Sequence, residues 1–178
     1  MTQQEQVLWD KCEAFHGHHC GGSAIGFKAA LYAAELLDLT FSKDEEVVCV
    51  TENDACGVDC IQVILGCSIG KGNLLFRMQG KQAFSIFNRK TEKSVRLVLR
   101  QLKDAPADKH ERMQYLLDTP ACDLFDVKEV HFTLPERARL FQSVICEECG
   151  EVTAEPYIHI ENGRKLCSDC YHPYTRFM

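Results

Sequence analysis

The sequence predicts an α+β protein: an N-terminal mixed or antiparallel sheet with packed helices, followed by a small zinc-binding module. Two observations support this fold class. A helix, a strand, a second helix, three further strands and a third helix are predicted in that order through residues 22–120. Two Cys-x2-Cys pairs are confined to the last 33 residues, a segment too short to bury much core. We therefore predict two domains, residues 1–142 and residues 143–178.

The first two predicted elements are a helix and a strand. Residues 22–37 are rich in Ala and Leu and contain no proline, which predicts a helix. The valine-rich residues 45–52 predict a β-strand. Small residues recur at every fourth position of the helix, and we expect them to pack closely against a sheet or another helix. They are Gly22, Gly26, Ala30 and Ala34.

The remaining elements complete the sheet and its helical layer. Residues 56–67 predict a second helix just after the strand. Residues 72–100 predict three strands of an antiparallel meander, because Gln-Gly and Arg-Lys-Thr-Glu-Lys turns separate them. A helix is predicted over residues 105–120 with Asp108 near its start, and residues 123–135 predict a strand-like connector.

The clearest motif lies near the C-terminal end. Two Cys-x2-Cys pairs separated by seventeen residues have the spacing of a four-thiolate zinc site. Gly150 follows the first pair, where the chain must turn sharply, and an Asn-Gly turn within residues 155–165 predicts a hairpin between the pairs. A rubredoxin-like iron site or a small iron–sulfur cluster remains an alternative. The predicted zinc ligands are Cys146, Cys149, Cys167 and Cys170.

The stretch FHGHHCGG, residues 15–22, predicts a second metal site at the entry to the first predicted helix. Imidazole and thiolate together suit zinc or another transition metal. The predicted ligands are His16, His18 and Cys20, with Cys56 completing the site and Cys67 in reserve. Asp59 is predicted to orient one of the ligands. The alternative is a histidine-rich helix cap above buried, neutral thiols.

Composition limits the partners and the compartment. There is no run of eighteen apolar residues and no secretory signal pattern, so we expect a cytoplasmic protein with reduced cysteines and no membrane contact. Residues 146–178 carry three basic and six acidic side chains, which disfavours nucleic acid as a partner. Residues 77–112 carry ten basic and four acidic side chains. This basic segment can hold an anionic ligand or meet acidic surfaces of the same fold or of a partner subunit.

Three segments together resemble the FmdE family, which is named for an accessory component of formylmethanofuran dehydrogenase. They are residues 15–30, residues 52–74 and the terminal cysteine pairs. The family's HGHxC and C-x-x-D-x-x-Q motifs fall here on His16, Gly17, His18, Cys20, Cys56, Asp59 and Gln62, with Gly66 and Cys67 following. Gly21 stands where the family often has proline, which leaves the local backbone less fixed and keeps every candidate ligand.

The resemblance implies a metal-binding accessory protein, linked to the function or assembly of a molybdenum or tungsten oxidoreductase. It implies oxidoreductase partner subunits and, together with the uneven charge, a homodimer. The alternative is a stand-alone enzyme that uses a thiolate, or a metal that activates water, in the N-terminal His/Cys pocket, with Asp54 or Asp59 as the base. A metal or redox sensor is a third interpretation.

Overall fold

The computed structural model describes residues 1–176, and the chain divides into two compact units, Met1–Ala138 and Arg139–Met178. The first unit contains α1 (Gln3–His16), α2 (Gly21–Leu37), β1 (Val47–Thr51), α3 (Gly57–Leu65), β2 (Leu74–Phe76), β3 (Ala83–Asn88), β4 (Ser94–Leu99), α4 (Lys109–Asp118), α5 (Ala121–Leu124) and β5 (Phe125–Lys128). The second contains β6 (Ser143–Ile145), β7 (Val152–Ala154), a 3-10 turn (Glu155–Tyr157), β8 (Ile158–Glu161) and β9 (Arg164–Cys167). The predicted α+β class is confirmed.

The first unit is built on a five-stranded mixed sheet in the order β2-β1-β3-β4-β5. Four of its strands run antiparallel to their neighbours as predicted, but β2 lies parallel to β1 at the sheet edge. The predicted pairing of β2 with β3 is therefore wrong. The reason is that α3 connects β1 to β2 as a crossover helix, and such a connection returns the chain in the same direction.

The two faces of the sheet have different covers. One face carries Phe84, Ile86 and Leu97, which pack with residues of the helices such as Phe27 and Leu116 into the main core. On the other face a smaller cluster of Val48, Val50 and Phe87 is covered by three side chains from the segment after β5. They are Val130, Phe132 and Leu134.

Helix α1 has no counterpart among the predicted elements. Thr2 and Glu5 form a reciprocal capping box at its start, and Trp9 and Cys12 are its buried residues. The Thr-x-x-Glu pattern was the available signal for a helix start at this position. Because α1 ends at His16, this histidine is held by a helix and does not lie on a loop.

Helices α2 and α3 approach each other unusually closely at two glycines. A Cβ atom added to Gly26 would lie 2.0 Å from the carbonyl oxygen of Gly57. One added to Gly22 would lie 3.1 Å from the Cβ of Cys56. The small residues of α2 therefore pack against another helix, and this contact sets the position of Cys56.

The second unit consists of two short hairpins, β6–β7 and β8–β9. Asn162 and Gly163 both have positive φ, 51° and 82°, as the predicted Asn-Gly turn requires. Gly150 also has a positive φ, 78°, which turns the chain sharply after the first cysteine pair. The only fully buried non-cysteine side chain among the described residues of this unit is Leu166, which shows how little apolar core it has.

Candidate metal centre

Three potential ligand atoms converge at the ends of three helices in the first unit. His16 is the last residue of α1, Cys20 is the N-cap of α2, and Cys56 directly precedes α3. A nitrogen of His16 and the sulfurs of Cys20 and Cys56 all lie within 4.8 Å of one another. Gly17, at φ 89°, ends α1 and lets the chain reverse from the histidine toward the first cysteine.

The imidazole of His16 is fixed by a chain of hydrogen bonds. Its Nδ1 lies 2.7 Å from Oδ2 of Asp59, and the other carboxylate oxygen accepts a hydrogen bond from the Gln62 amide at 3.1 Å. The hydrogen bond to Asp59 raises the pKa of His16. Its Nε2 is buried and has no hydrogen-bond partner among the described residues. A carboxylate that holds one ring nitrogen while the other is unpaired is the usual arrangement of a metal-binding histidine.

The two cysteines differ in their hydrogen bonds. Burial raises the pKa of Cys20, but hydrogen bonds from the side chain and the backbone of Ser23 outweigh it and leave the pKa lowered. These contacts place the Cys20 sulfur 3.1 Å from the Ser23 hydroxyl and 3.3 Å from the Ser23 amide nitrogen. Burial and the neighbouring Cys20 thiol raise the pKa of Cys56. Cys20 is therefore the more readily ionised thiol of the pair.

The donor set and its spacing fit a transition-metal ion. Donors bound tetrahedrally at about 2.3 Å lie about 3.8 Å apart, so a separation below 4.8 Å needs only small adjustments. Two thiolates and one imidazole occupy three of four positions, a count typical of zinc sites that accept an outside ligand. The unpaired Nε2 of His16 independently indicates a missing partner at this point.

The structure does not bring the other two predicted ligands into this group. The ring of His18 packs against that of His16 with 4.4 Å between centroids, which places it beside the cluster. Cys67 is fully buried in the core, and its thiol lies 3.6 Å from the carbonyl oxygen of Val47. Cys60, expected in the core, is fully buried and donates to the carbonyl of Ser23.

Clefts open on two sides of the cluster. One, of about 330 Å³, is lined by His16, Cys56 and Asp54 together with apolar side chains such as Ile69 and Phe76. The other, of about 450 Å³, borders Cys20; its further lining includes His18, His19, Lys109, His110 and Arg112. A ligand in an open coordination position therefore has room beside the cluster.

The hydrogen bond between His16 and Asp59 leads to a test by substitution. Asp59→Asn is expected to weaken metal binding at this cluster about 10–100-fold, because the neutral amide polarises and orients the imidazole less well than the carboxylate does. Competition with a chromophoric chelator measures the change. Asp54→Asn is the matched control, since Asp54 is an exposed carboxylate in the same cleft. Equal affinities for the two variants would contradict a ligand-orienting role for Asp59.

The four C-terminal cysteines, Cys146, Cys149, Cys167 and Cys170, form a second group, the four-cysteine cluster. Their sulfurs all lie within 4.8 Å of one another, which is the geometry of a metal site. The backbone amides of Cys149, Cys167 and Glu148 lower the pKa of Cys146 to about 6. The Cys167 amide is 3.3 Å from the sulfur of Cys146. Backbone amides directed at a thiolate are the expected feature of a Cys-x2-Cys knuckle.

Two histidines near the four-cysteine cluster take no part in it. His159 stacks on Tyr171 with 4.4 Å between ring centroids, and its Nε2 lies 3.2 Å from the Ser168 hydroxyl. His172 is exposed. All eleven cysteines of the chain are free thiols, so none is withdrawn from metal binding by a disulfide.

Comparisons with known proteins agree with this architecture. The family described as "FmdE, Molybdenum formylmethanofuran dehydrogenase operon" matches residues 15–129. A probable S-adenosyl-L-methionine-binding protein of Archaeoglobus fulgidus is 25% identical over 195 residues, covering 92% of this chain. The chain spans about half of that relative's length, 52%.

One solved structure is similar along almost the whole chain. It is an FmdE-like protein of a tungsten formylmethanofuran dehydrogenase from Syntrophus aciditrophicus, with a TM-score of 0.67 and 22% sequence identity. The match covers 93% of this chain and 91% of the other. At this identity the likeness shows a shared fold. The matched family region contains the His/Cys cluster, and the four-cysteine cluster lies beyond it.

Proposed function

Because the chain belongs to the FmdE family, we propose that it is a metal-binding accessory protein whose functional centre is the His16/Cys20/Cys56 cluster. One observation carries this proposal: three donor atoms converge, and one of them, Nε2 of His16, is buried without a partner among the described residues. Zinc or another transition metal suits the donors. When bound, such an ion supplies Lewis acidity to a fourth ligand.

The residues around the cluster divide the work of binding. Asp59, held by Gln62, keeps the proton on Nδ1 of His16 and leaves Nε2 free to coordinate. Ser23 donates to Cys20 and stabilises its thiolate. The close contact between α2 and α3 brings Cys56 to the other two donors. These contacts preorganise the site before the ion arrives.

The names of the similar proteins support a more specific role. The family description refers to a molybdenum formylmethanofuran dehydrogenase operon, and the similar solved structure is named for the tungsten enzyme. On this basis the chain would serve such an oxidoreductase in its function or assembly, as a cytoplasmic homodimer that contacts partner subunits. No helix of residues 1–176 combines the length and apolar character needed to cross a membrane. Light scattering tests the dimer.

A stand-alone enzyme is the second candidate, and the incomplete donor set favours it. Three protein ligands leave a position for a substrate, and the cleft beside Cys56 offers Asp54 as an exposed carboxylate within reach of that position's surroundings. The name of the A. fulgidus relative makes S-adenosyl-L-methionine one compound to test as a fourth ligand. Its amino and carboxylate groups are both able to coordinate a metal.

The proposed function predicts the number of metal ions per chain. Wild-type protein loaded with Zn²⁺ or Co²⁺ under reducing conditions should hold two ions per chain, one in each cluster. Cys56→Ser should hold one, because the first cluster loses one of its two thiolates. Elemental analysis gives the stoichiometry, and the visible spectrum of the Co²⁺ form reports thiolate coordination. Cys122→Ser is the matched control, since Cys122 is exposed and outside both clusters. One ion per chain in both wild type and Cys56→Ser would refute the N-terminal site.

A further inference from the structure

A third feature of the first unit is a basic cleft of about 250 Å³ that contains no cysteine. It lies beside the sheet face that the segment after β5 covers. Its lining residues are Glu52, Arg77, Gln79, Lys81, Arg96, His131 and Phe132. Its three cations, Arg77, Lys81 and Arg96, come from the basic segment 77–112 that is evident in the sequence.

A buried ion pair forms one wall of the basic cleft. Glu52 is only 2% exposed, and both of its carboxylate oxygens accept from the Arg96 guanidinium, at 2.6 Å and 2.9 Å. This contact lowers the pKa of Glu52 and raises that of Arg96. The bidentate geometry fixes the plane of the guanidinium and uses Nε and Nη2, which leaves Nη1 to donate elsewhere.

Two further cations remain after this pair is formed. The guanidinium of Arg77 lies over the ring of Phe132, 5.1 Å from its centroid, which orients it while its donor edge stays free. The charges of Lys81 and Arg77 also act on Glu52 and lower its pKa further. Within residues 1–176, Glu52 is the only acidic side chain that lines the basic cleft. The cleft therefore carries a surplus of two positive charges.

The backbone keeps these cations in place. The amide of Arg77 donates to the carbonyl of Thr51 at 2.9 Å, and the amide of Lys81 donates to the carbonyl of Glu52 at 3.3 Å. The side-chain amide of Asn53 donates to the carbonyl of Lys81 at 2.9 Å. The segment that carries Arg77 and Lys81 is thus attached to the end of β1, and little order has to be gained when a ligand binds.

From this geometry we infer that the basic cleft is a binding site for a phosphate group, either free or as the monoester of a small molecule. A phosphate dianion matches the surplus of two charges, and its tetrahedral oxygens accept from guanidinium and ammonium donors on different walls. A monocarboxylate offers one charge and a flat pair of oxygens. The small volume and the chain's net charge of −6 do not suit a nucleic-acid strand.

Isothermal titration calorimetry at low ionic strength tests this inference on the full-length, zinc-loaded protein. The titrants are inorganic phosphate, glycerol 3-phosphate and, as the monocarboxylate comparison, acetate. Arg77→Met/Lys81→Met removes the surplus cations from two exposed positions. Lys11→Met/Lys103→Met changes the net charge equally at two exposed positions outside the cleft and serves as the control.

We expect saturable binding of at least one phosphate compound, weakened at least about tenfold in Arg77→Met/Lys81→Met and changed less than about twofold in the control. Tighter binding of inorganic phosphate would identify the free ion as the ligand, and tighter binding of the ester would identify a phosphorylated metabolite. Equal losses in the two double variants would reduce the effect to general charge attraction and overturn the inference. Acetate binding as tight as phosphate binding, or no phosphate binding by the wild type, would also overturn it.

Discussion

Replacing Cys149 with serine is expected to unfold the C-terminal unit and to leave Met1–Ala138 folded. The buried cluster of that unit contains Leu166 with Cys146 and Cys167, so apolar burial contributes little to its stability. Structural zinc in small modules contributes roughly 10–16 kcal/mol, and folding of such modules depends on it. Loss of one of four thiolates removes most of that contribution.

Limited proteolysis measures the effect of Cys149→Ser directly. The variant should be cleaved rapidly after residue 139 while a fragment of residues 1–138 resists, and a chelator should reproduce this pattern in the wild type. Cys122→Ser is the control, because Cys122 is an exposed thiol of the first unit. Resistance of the C-terminal unit in metal-free Cys149→Ser would show that its hairpins fold without metal, contrary to this expectation.

Gly26→Ala is expected to destabilise the first unit and to disrupt the His/Cys cluster at the same time. Its Cβ would lie 2.0 Å from the Gly57 carbonyl oxygen and 2.4 Å from the Gly57 Cα, so the backbones of α2 and α3 must separate. Overpacking of this kind costs about 3 kcal/mol, which exceeds the gain of about 1 kcal/mol from the higher helix propensity of alanine. Because Cys56 directly precedes Gly57, the separation moves it away from Cys20.

Denaturant unfolding and metal titration together test this prediction. Gly26→Ala should unfold at a lower denaturant concentration and bind metal more weakly at the first cluster. Gly21→Ala, in the same helix, is the matched control because its Cβ would meet only Leu116 at an ordinary 3.6 Å. If the two variants bind metal equally well, the approach of α2 to α3 does not determine the position of Cys56.

The elements with a local signal could be predicted from the sequence. The helix over residues 22–37 and the Asn-Gly hairpin follow from propensity and turn chemistry, which act between neighbouring residues. Asp108 caps α4 at the amides of His110 and Glu111, as its position indicated. The convergence of four thiols in the four-cysteine cluster follows from the two-residue spacings, because each knuckle already directs both sulfurs to one point.

The N-terminal site depended on contacts that local signals do not encode. The pairing of β2 with β1 is set by the α3 crossover, and the missed helix α1 places His16 at a helix end. The contact between His16 and Asp59 joins residues 43 positions apart. Which histidine would coordinate was therefore beyond prediction from spacing alone.

The sequence by itself determined the kinds of ligand, the spacing of the C-terminal cysteine pairs and the family, because these depend on residue identity and short-range geometry. Only the tertiary structure decided that His16, Cys20 and Cys56 meet while His18 lies beside them and Cys67 is in the core. The physical reason is the close packing of α2 on α3 at Gly26 and Gly57, a long-range contact that places one thiol at the cluster and another one helix length away.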